Sequence, residues 1–112
     1  MSQITTHILD TTRGKPAAGV TIALFRQVDD TWEEVARGIT DADGRIKHLL
    51  PTAEPLPLGV YKLTFFIQEY AARVGTPTFY PFVDICFDLA TAEHYHVPLL
   101  LNPFGYATYR GS

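Results

Sequence analysis

Residues 60–67 read Val-Tyr-Lys-Leu-Thr-Phe-Phe-Ile, and this stretch carries the clearest structural signal in the chain. It is rich in β-branched and aromatic side chains, which are enriched in β-strands. The next residues, Gln68–Val74, are good helix formers and are followed by Gly75 and Pro77, residues typical of a helix end. We therefore expect a strand that runs directly into one short helix near residues 68–75.

Similar extended runs lie on both sides of this stretch and are separated by turn residues. The runs are Ile4–Leu9, Val20–Phe25, Trp32–Ile39, Arg45–Leu50, Phe82–Leu89, Tyr95–Leu101 and Tyr106–Arg110. Short runs at this spacing are typical of an antiparallel sandwich or barrel. The sequence thus predicts an all-β protein of about eight strands with one short helix.

Length and composition limit the class of protein. A chain of 112 residues predicts a single domain spanning residues 1–112. Nine basic and twelve acidic residues give a net charge of −3, which does not favour nucleic-acid binding. The chain has no apolar run near the roughly 20 residues that span a bilayer, and its first residues do not resemble a signal peptide. We expect a soluble, cytoplasmic protein.

The single cysteine, Cys86, excludes an intrachain disulfide and a cysteine-based zinc cluster. In Phe82–Leu89 every second residue is apolar, so Cys86 points to the opposite face together with Asp84 and Asp88. No activating pattern surrounds the thiol. We expect Cys86 at the surface or at an interface, without a catalytic role.

Histidines share a strand face with leucines in two of the predicted strands. In Tyr95–Leu101, alternation places four apolar residues on one face and His94, His96, Pro98 and Leu100 on the other. In Ile4–Leu9, His7 shares a face with Thr5 and Leu9.

Three interpretations of these mixed faces stay open. The histidines are solvent-exposed on a moderately apolar surface, or His7 and His96 line a concave or intersubunit site. Alternatively, His7, His94 and His96 together hold a metal ion such as zinc. Spacing alone does not decide among them.

The turn Asp41-Ala42-Asp43-Gly44 is similar to the start of a calcium-binding loop, but the later ligands of an EF-hand are missing. A tight turn that requires glycine explains the pattern better. We expect Arg45 to begin the next strand, where an arginine is either a solvated edge charge or a planar clamp for an anion. At the other end, residues 106–112 keep a strand pattern without a charged extension, which predicts a tail tucked against the protein.

Four segments together resemble the 5-hydroxyisourate hydrolases, the enzymatic branch of the transthyretin-like proteins. They are the opening strand and turn Thr5–Ala17, the turn Thr40–Arg45, the strand His94–Leu100 and the terminal Tyr109-Arg110-Gly111-Ser112. The terminal tetrapeptide is the signature that separates these hydrolases from hormone-carrying transthyretin. The resemblance covers essentially the whole chain.

The resemblance implies a two-sheet antiparallel β-sandwich that assembles as a homotetramer, a dimer of dimers, with its sites in the channel between dimers. It implies that His7, Arg45, His96 and Ser112 are catalytic and that Tyr109, Arg110 and Gly111 complete the substrate-binding tail, whereas His94 is not catalytic. The implied reaction opens the ring of 5-hydroxyisourate to give 2-oxo-4-hydroxy-4-carboxy-5-ureidoimidazoline in urate catabolism. A histidine activates water, an arginine assists, and no cofactor or metal takes part.

Two other classes of protein fit parts of the sequence. A transthyretin-like carrier would use the same channel for a ligand, but it needs no proton-transfer groups. A carboxypeptidase-regulatory-like or adhesin-type sandwich explains Thr40–Arg45, predicts a monomer, and leaves the histidine strands and the tail without a role.

Overall fold

A computed structural model describes residues 2–111 of the chain. In chain order, its elements are β1 (Ile4–Asp10), β2 (Lys15–Pro16), β3 (Thr21–Val28), β4 (Thr31–Ile39), β5 (Gly59–Phe66), α1 (Ile67–Val74), β6 (Val83–Leu89), β7 (Tyr95–Asn102) and β8 (Gly105–Thr108). The strands form two four-stranded sheets, one in the order β2-β1-β7-β8 and the other in the order β4-β3-β5-β6. This confirms the predicted all-β sandwich with one short helix.

The first sheet contains a parallel pair, β1 with β7, whereas the other paired strands run antiparallel. These two strands lie near opposite ends of the sequence, so no short hairpin forces them to be antiparallel. The parallel register pairs Thr5 with His96 and His7 with Pro98. It therefore sets the two predicted histidine faces side by side on the same surface of the sheet.

The core lies between the sheets and follows the predicted alternation. On β1 the residues from Ile4 to Asp10 are alternately buried and half-buried, with Ile4 and Ile8 fully inside. The inward residues of β7 are buried as predicted; they are Tyr95, Val97, Leu99 and Leu101. On β6 the alternation leaves Cys86 exposed, as expected.

Helix α1 confirms the sequence prediction and begins one residue earlier, at Ile67. It ends at Gly75, whose φ of 71° is in the left-handed region that favours glycine. The hydroxyl of Tyr70 donates to Oδ2 of the buried Asp10 at 2.8 Å and so ties the helix to the end of β1. No helix within residues 2–111 is long and apolar enough to cross a membrane.

The prediction of a strand over Arg45–Leu50 is wrong. Only Arg45 pairs, in an isolated bridge with His7, and the chain then turns at residues 47–48. Leu49 and Leu50 are both buried, although consecutive strand residues point to opposite faces. Their apolar character therefore reflects a loop packed into the core. The structure still has eight strands within residues 2–111, because the two-residue β2 takes the place of this one.

Candidate active site

The turn at residues 41–44 fixes the backbone of Arg45. Oδ1 of Asp41 accepts the backbone N–H groups of Asp43 at 2.9 Å and of Arg45 at 3.1 Å. These hydrogen bonds, above all that from Arg45, lower the pKa of the Asp41 carboxyl, so it stays ionised in the turn. The predicted tight turn is thus confirmed, and its bonding delivers Arg45 to a defined place.

Gly44 allows this turn to lie directly against β1. Its φ is 73°, and a Cβ atom at this position would lie 2.5 Å from the carbonyl oxygen of Ile8. The backbone N–H of Ile8 in turn donates to the carbonyl of Gly44 at 2.9 Å. Arg45 is held beside His7 as a result, through the isolated bridge between the two residues.

A threonine hydroxyl joins two of the histidines. Oγ1 of Thr5 lies 2.8 Å from Nε2 of His94 and 2.8 Å from Nδ1 of His96. The two imidazole rings stack with centroids 6.4 Å apart and an angle of 21° between their planes. Thr5 can make both contacts because it is the register partner of His96 in the parallel pair.

The chain after β8 returns to β7 and touches His96. The backbone N–H of Gly111 donates to the carbonyl of His96 at 2.8 Å. A Cβ atom on Gly111 would lie 2.5 Å from Cδ2 of the imidazole, so only glycine fits without moving the ring. Upstream, Arg110 donates to Oε1 of Glu93 at 2.6 Å, and its guanidinium lies 4.3 Å from the ring centre of Tyr95. The predicted docking of the tail is observed as far as Gly111.

A pocket of about 300 Å³ opens where these elements meet. It is lined by residues of β1, of the loop after the turn, and of β7 with the residue before it; they are Thr5, Thr6, Arg45, Ile46, Lys47, His94 and His96. A volume of this size suits a small ring compound. The wall of this pocket contains a half-buried imidazole ring, exposed cationic side chains and one apolar side chain.

Burial and positive charge both act on the histidines. Burial lowers the pKa of His96, and the neighbouring Arg45, His94 and His7 lower it further. Burial and then Arg45 also lower the pKa of His7, against weaker opposing effects from Asp43 and Asp41. Both imidazoles are therefore neutral at pH 7 and able to accept a proton.

This arrangement is suited to hydrolysis. A neutral imidazole near the operating pH is an effective general base, and a guanidinium stabilises negative charge that develops on an oxygen. Arg45 also offers a rigid, planar set of donors that matches a planar carbonyl compound.

The structure brings together three of the residues expected at a site: His7, Arg45 and His96. Gly111 lies against His96. Tyr109 and Arg110 instead line a separate cavity of about 280 Å³ beside β6. Ser112, expected to be catalytic, lies outside the residues that the structure describes.

Four of the residues that line the pocket have no role predicted from the sequence, namely Thr5, Thr6, Ile46 and Lys47. Alternation did place Thr5 on the face of His7, but only the strand register shows that it reaches His94 and His96. Nothing in the pattern around Ile46 and Lys47 indicates their position.

The alternative metal site at His7, His94 and His96 is not formed. Within the described residues 2–111, no group of three or more histidine, cysteine, aspartate or glutamate side chains is placed to hold a metal ion. Nε2 of His94 and Nδ1 of His96 are directed at Thr5 instead.

The chain is similar in sequence to known proteins over nearly its full length. The model of the HIUase/Transthyretin family matches residues 4–111. The 5-hydroxyisourate hydrolase of Mesorhizobium japonicum is 45% identical over 114 residues, covering 98% of this chain and 92% of its own length.

Two solved structures resemble the fold over nearly its full length. Transthyretin from Sparus aurata superposes with a TM-score of 0.91 at 32% identity, covering 99% of this chain and 97% of its own. The 5-hydroxyisourate hydrolase of Klebsiella pneumoniae superposes with a TM-score of 0.83 at 40% identity, covering 97% and 98%. The chain therefore belongs to the HIUase/Transthyretin family.

Proposed function

We propose that this chain is a hydrolase that converts 5-hydroxyisourate to 2-oxo-4-hydroxy-4-carboxy-5-ureidoimidazoline in the cytoplasm, as a step of urate catabolism. The observation that carries the proposal is the pocket in which a neutral His96 imidazole lies within the electrostatic influence of Arg45. The hydrolase named above, at 45% identity over most of both chains, supports the reaction class and the substrate.

In the proposed mechanism, water attacks the carbonyl carbon of the cyclic amide while a neutral imidazole takes one of its protons. Water is a poor nucleophile near pH 7, so this general base supplies a large part of the rate. The new C–O bond gives a tetrahedral oxyanion. The C–N bond of the ring then breaks, and the nitrogen leaves with a proton returned by an imidazolium.

Arg45 stabilises the oxyanion and orients the planar ring in this proposal. Its backbone is already fixed by the turn, so only its side chain has to be ordered when substrate binds. Of the two imidazoles that line the pocket, His96 is the half-buried one and has its pKa lowered, which favours it as the base. His7 is held beside Arg45 by the bridge between the two residues. In this proposal it contributes to the electrostatic field of the site and contacts the substrate from its position on β1.

The tail completes the site in an assembled protein. We propose that the chain forms a homotetramer, a dimer of dimers, in which the outer face of β1 and β7 lies at the dimer–dimer interface. Leu9 and Leu100 are register partners on this face and would be covered by the other dimer. Tyr109, Arg110 and Ser112 then act in substrate binding from the tail, with Ser112 as a hydrogen-bonding group in catalysis.

Light scattering tests this assembly and should give about four times 12.5 kDa. A stable monomer with full activity would contradict it.

The activity test uses 5-hydroxyisourate generated in place from urate, because the compound is unstable. The protein should accelerate its decay well beyond the spontaneous rate. Heat-denatured protein at the same concentration is the control for non-specific catalysis.

One observation favours a second function, that of a ligand carrier. Transthyretin from Sparus aurata has the higher TM-score of the two solved structures described above. A carrier would bind a ligand at the same face without consuming it. Saturable binding of a hydrophobic ligand with no acceleration of 5-hydroxyisourate decay would favour this alternative.

A further inference from the structure

The hydroxyl of Thr5 has a single proton but faces a ring nitrogen on each side, at 2.8 Å from both. It can donate to only one of them and must accept from the other. When both imidazoles are neutral, one of them therefore carries its proton on the nitrogen facing Thr5 and the other presents a lone pair there. The tautomers of His94 and His96 are coupled through this one oxygen.

We propose that Thr5 is a positioning residue that links His96 to His94 in a proton relay, so that His96 serves first as base and then as acid. This inference rests on the proposed hydrolysis and adds Thr5 and His94 to its machinery. It goes beyond the resemblance, which implies no catalytic role for His94.

The relay moves one positive charge from His96 to His94. Nε2 of His96 takes a proton from the attacking water, while Nδ1 of His96 gives its proton to Oγ1 of Thr5. Thr5 passes its own hydroxyl proton to Nε2 of His94. His96 is then neutral with its proton on Nε2, Thr5 is again a hydroxyl, and His94 carries the positive charge. Reversal of the relay accompanies donation from Nε2 of His96 to the leaving nitrogen.

The surroundings favour moving the charge from His96 to His94. His96 is half-buried, whereas His94 is exposed to solvent. Arg45 and Lys47 from the loop after the turn line the pocket. Burial disfavours a cation on His96, and the charges of Arg45, His94 and His7 disfavour it further. Among the described residues that line the pocket there is no carboxylate to offset them. A proton that stayed on His96 would be disfavoured by both burial and neighbouring positive charge.

The parallel pairing of β1 and β7 makes the geometry stiff. Thr5 lies level with His96, and His94 comes two residues earlier, just before β7 begins. A β-branched side chain on a strand has few accessible rotamers, so the hydroxyl is held between the rings at low entropic cost.

Two variants separate the hydroxyl from the shape of the side chain. Thr5→Val keeps the branched shape and removes the hydroxyl, and it should lower kcat about tenfold with little change in KM. This is less than the roughly 100-fold or greater contribution of a general base, because His96 itself remains. Thr5→Ser keeps the hydroxyl and should retain kcat within about twofold. Thr21→Val, on β3 in the other sheet, is the matched control.

A packing role for Thr5 gives the opposite ranking, with Thr5→Val active and Thr5→Ser impaired. That result would overturn the inference. Thr5→Val in a His94→Asn background should add less than about a twofold further loss, because both changes break the same relay. Full additivity of the two losses would also overturn it.

Nitrogen-15 NMR of histidine-labelled protein tests the coupling without any substrate. In the wild type, the Nδ1 resonance of His96 should report a change of tautomer as His94 is protonated, and Thr5→Val should abolish this response. A response that survives in Thr5→Val would refute the relay even if the enzyme is active. Absence of 5-hydroxyisourate turnover in the wild type would instead refute the proposed function.

Discussion

The backbone of Gly111 donates to the carbonyl of His96 at 2.8 Å and leaves no room for a side chain, since a Cβ atom would lie 2.5 Å from Cδ2 of the imidazole. The tail thus sets the position of the ring that we propose as the general base. Gly111→Ala should displace the ring or detach the tail, and either change misplaces Nε2. We expect kcat to fall at least about tenfold, because a small misplacement of a catalytic group can cost up to about 100-fold.

Gly105→Ala is the matched control for this variant. The nearest atom to a Cβ on Gly105 is Oδ1 of Asn102 at 3.5 Å, an ordinary contact. It should keep its activity in the same steady-state assay. Wild-type turnover by Gly111→Ala would show that the tail does not fix His96.

Gly44→Ala should destabilise the protein and impair the site together. The substitution combines a φ of 73° with a contact of 2.5 Å to the backbone oxygen of Ile8. Left-handed strain and the clash should cost at least about 1–3 kcal/mol of the free energy of unfolding, measured by urea denaturation. The displaced turn also moves Arg45, so activity should fall in the fraction that remains folded.

Gly14→Ala separates strain from contact. Gly14 has a similar φ of 66°, but nothing lies within 4 Å of a Cβ there. Its loss of stability should be only about 1 kcal/mol. Equal losses in the two variants would mean that the contact between Gly44 and β1 contributes nothing.

The pH dependence of the rate follows from the lowered pKa of His7 and His96. Both groups are proposed to act as neutral imidazoles, so activity is lost as pH falls through their folded-state pKa, which lies below the usual value of about 6.5. The acid limb of kcat/KM should therefore have its midpoint below pH 6.5. Stability should decline as pH falls from about 6.5 to the folded-state pKa, because over this interval the unfolded chain binds more protons than the folded one.

Arg45→Gln tests whether the charge of Arg45 helps to lower the pKa of His7 and His96. Burial is the larger effect and remains, but the guanidinium charge is removed, so the midpoint should move to higher pH while the maximal rate falls. Arg26→Gln, on β3 in the other sheet, removes a charge elsewhere and should leave the midpoint in place. A wild-type midpoint at or above pH 6.5 would contradict this account.

The sequence predicted which face of each strand is buried better than it predicted which strands pair with each other. Alternation in β7 identified both the buried side, with Tyr95 and Val97, and the side that carries His96. Pairing of β1 with β7 depends on contacts between segments near the two ends of the chain. A local sequence pattern does not predict such contacts. For this reason the parallel pair and the contacts of Thr5 with His94 and His96 required the structure.

The loop after the turn illustrates the other limit of sequence reasoning. Residues 45–50 have the composition of a short strand, yet core packing of Leu49 and Leu50 overrides it. The same loop brings Ile46 and Lys47 to the pocket, a position that only the folded chain defines. The tight turn itself was predictable, because glycine and aspartate have specific physical roles there.

Deletion of residues 109–112 should abolish hydrolysis and leave the sandwich folded. The deletion removes the N–H donor to the His96 carbonyl and the pair between Arg110 and Glu93, but no residue of the eight strands. Ser112→Ala should cost less, since it removes one hydroxyl and keeps the backbone. Circular dichroism checks the fold; full turnover by the folded truncated protein would exclude the tail from the site.

The central claim is that a neutral His96 activates water for the hydrolysis of 5-hydroxyisourate. The most direct measurement is the decay of freshly made 5-hydroxyisourate with wild type, His7→Asn, His96→Asn and His94→Asn at equal concentrations and verified fold. We predict rapid decay with the wild type, loss of about 100-fold or more in His7→Asn and His96→Asn, and a milder loss in His94→Asn. Wild-type turnover by folded His96→Asn would contradict the account.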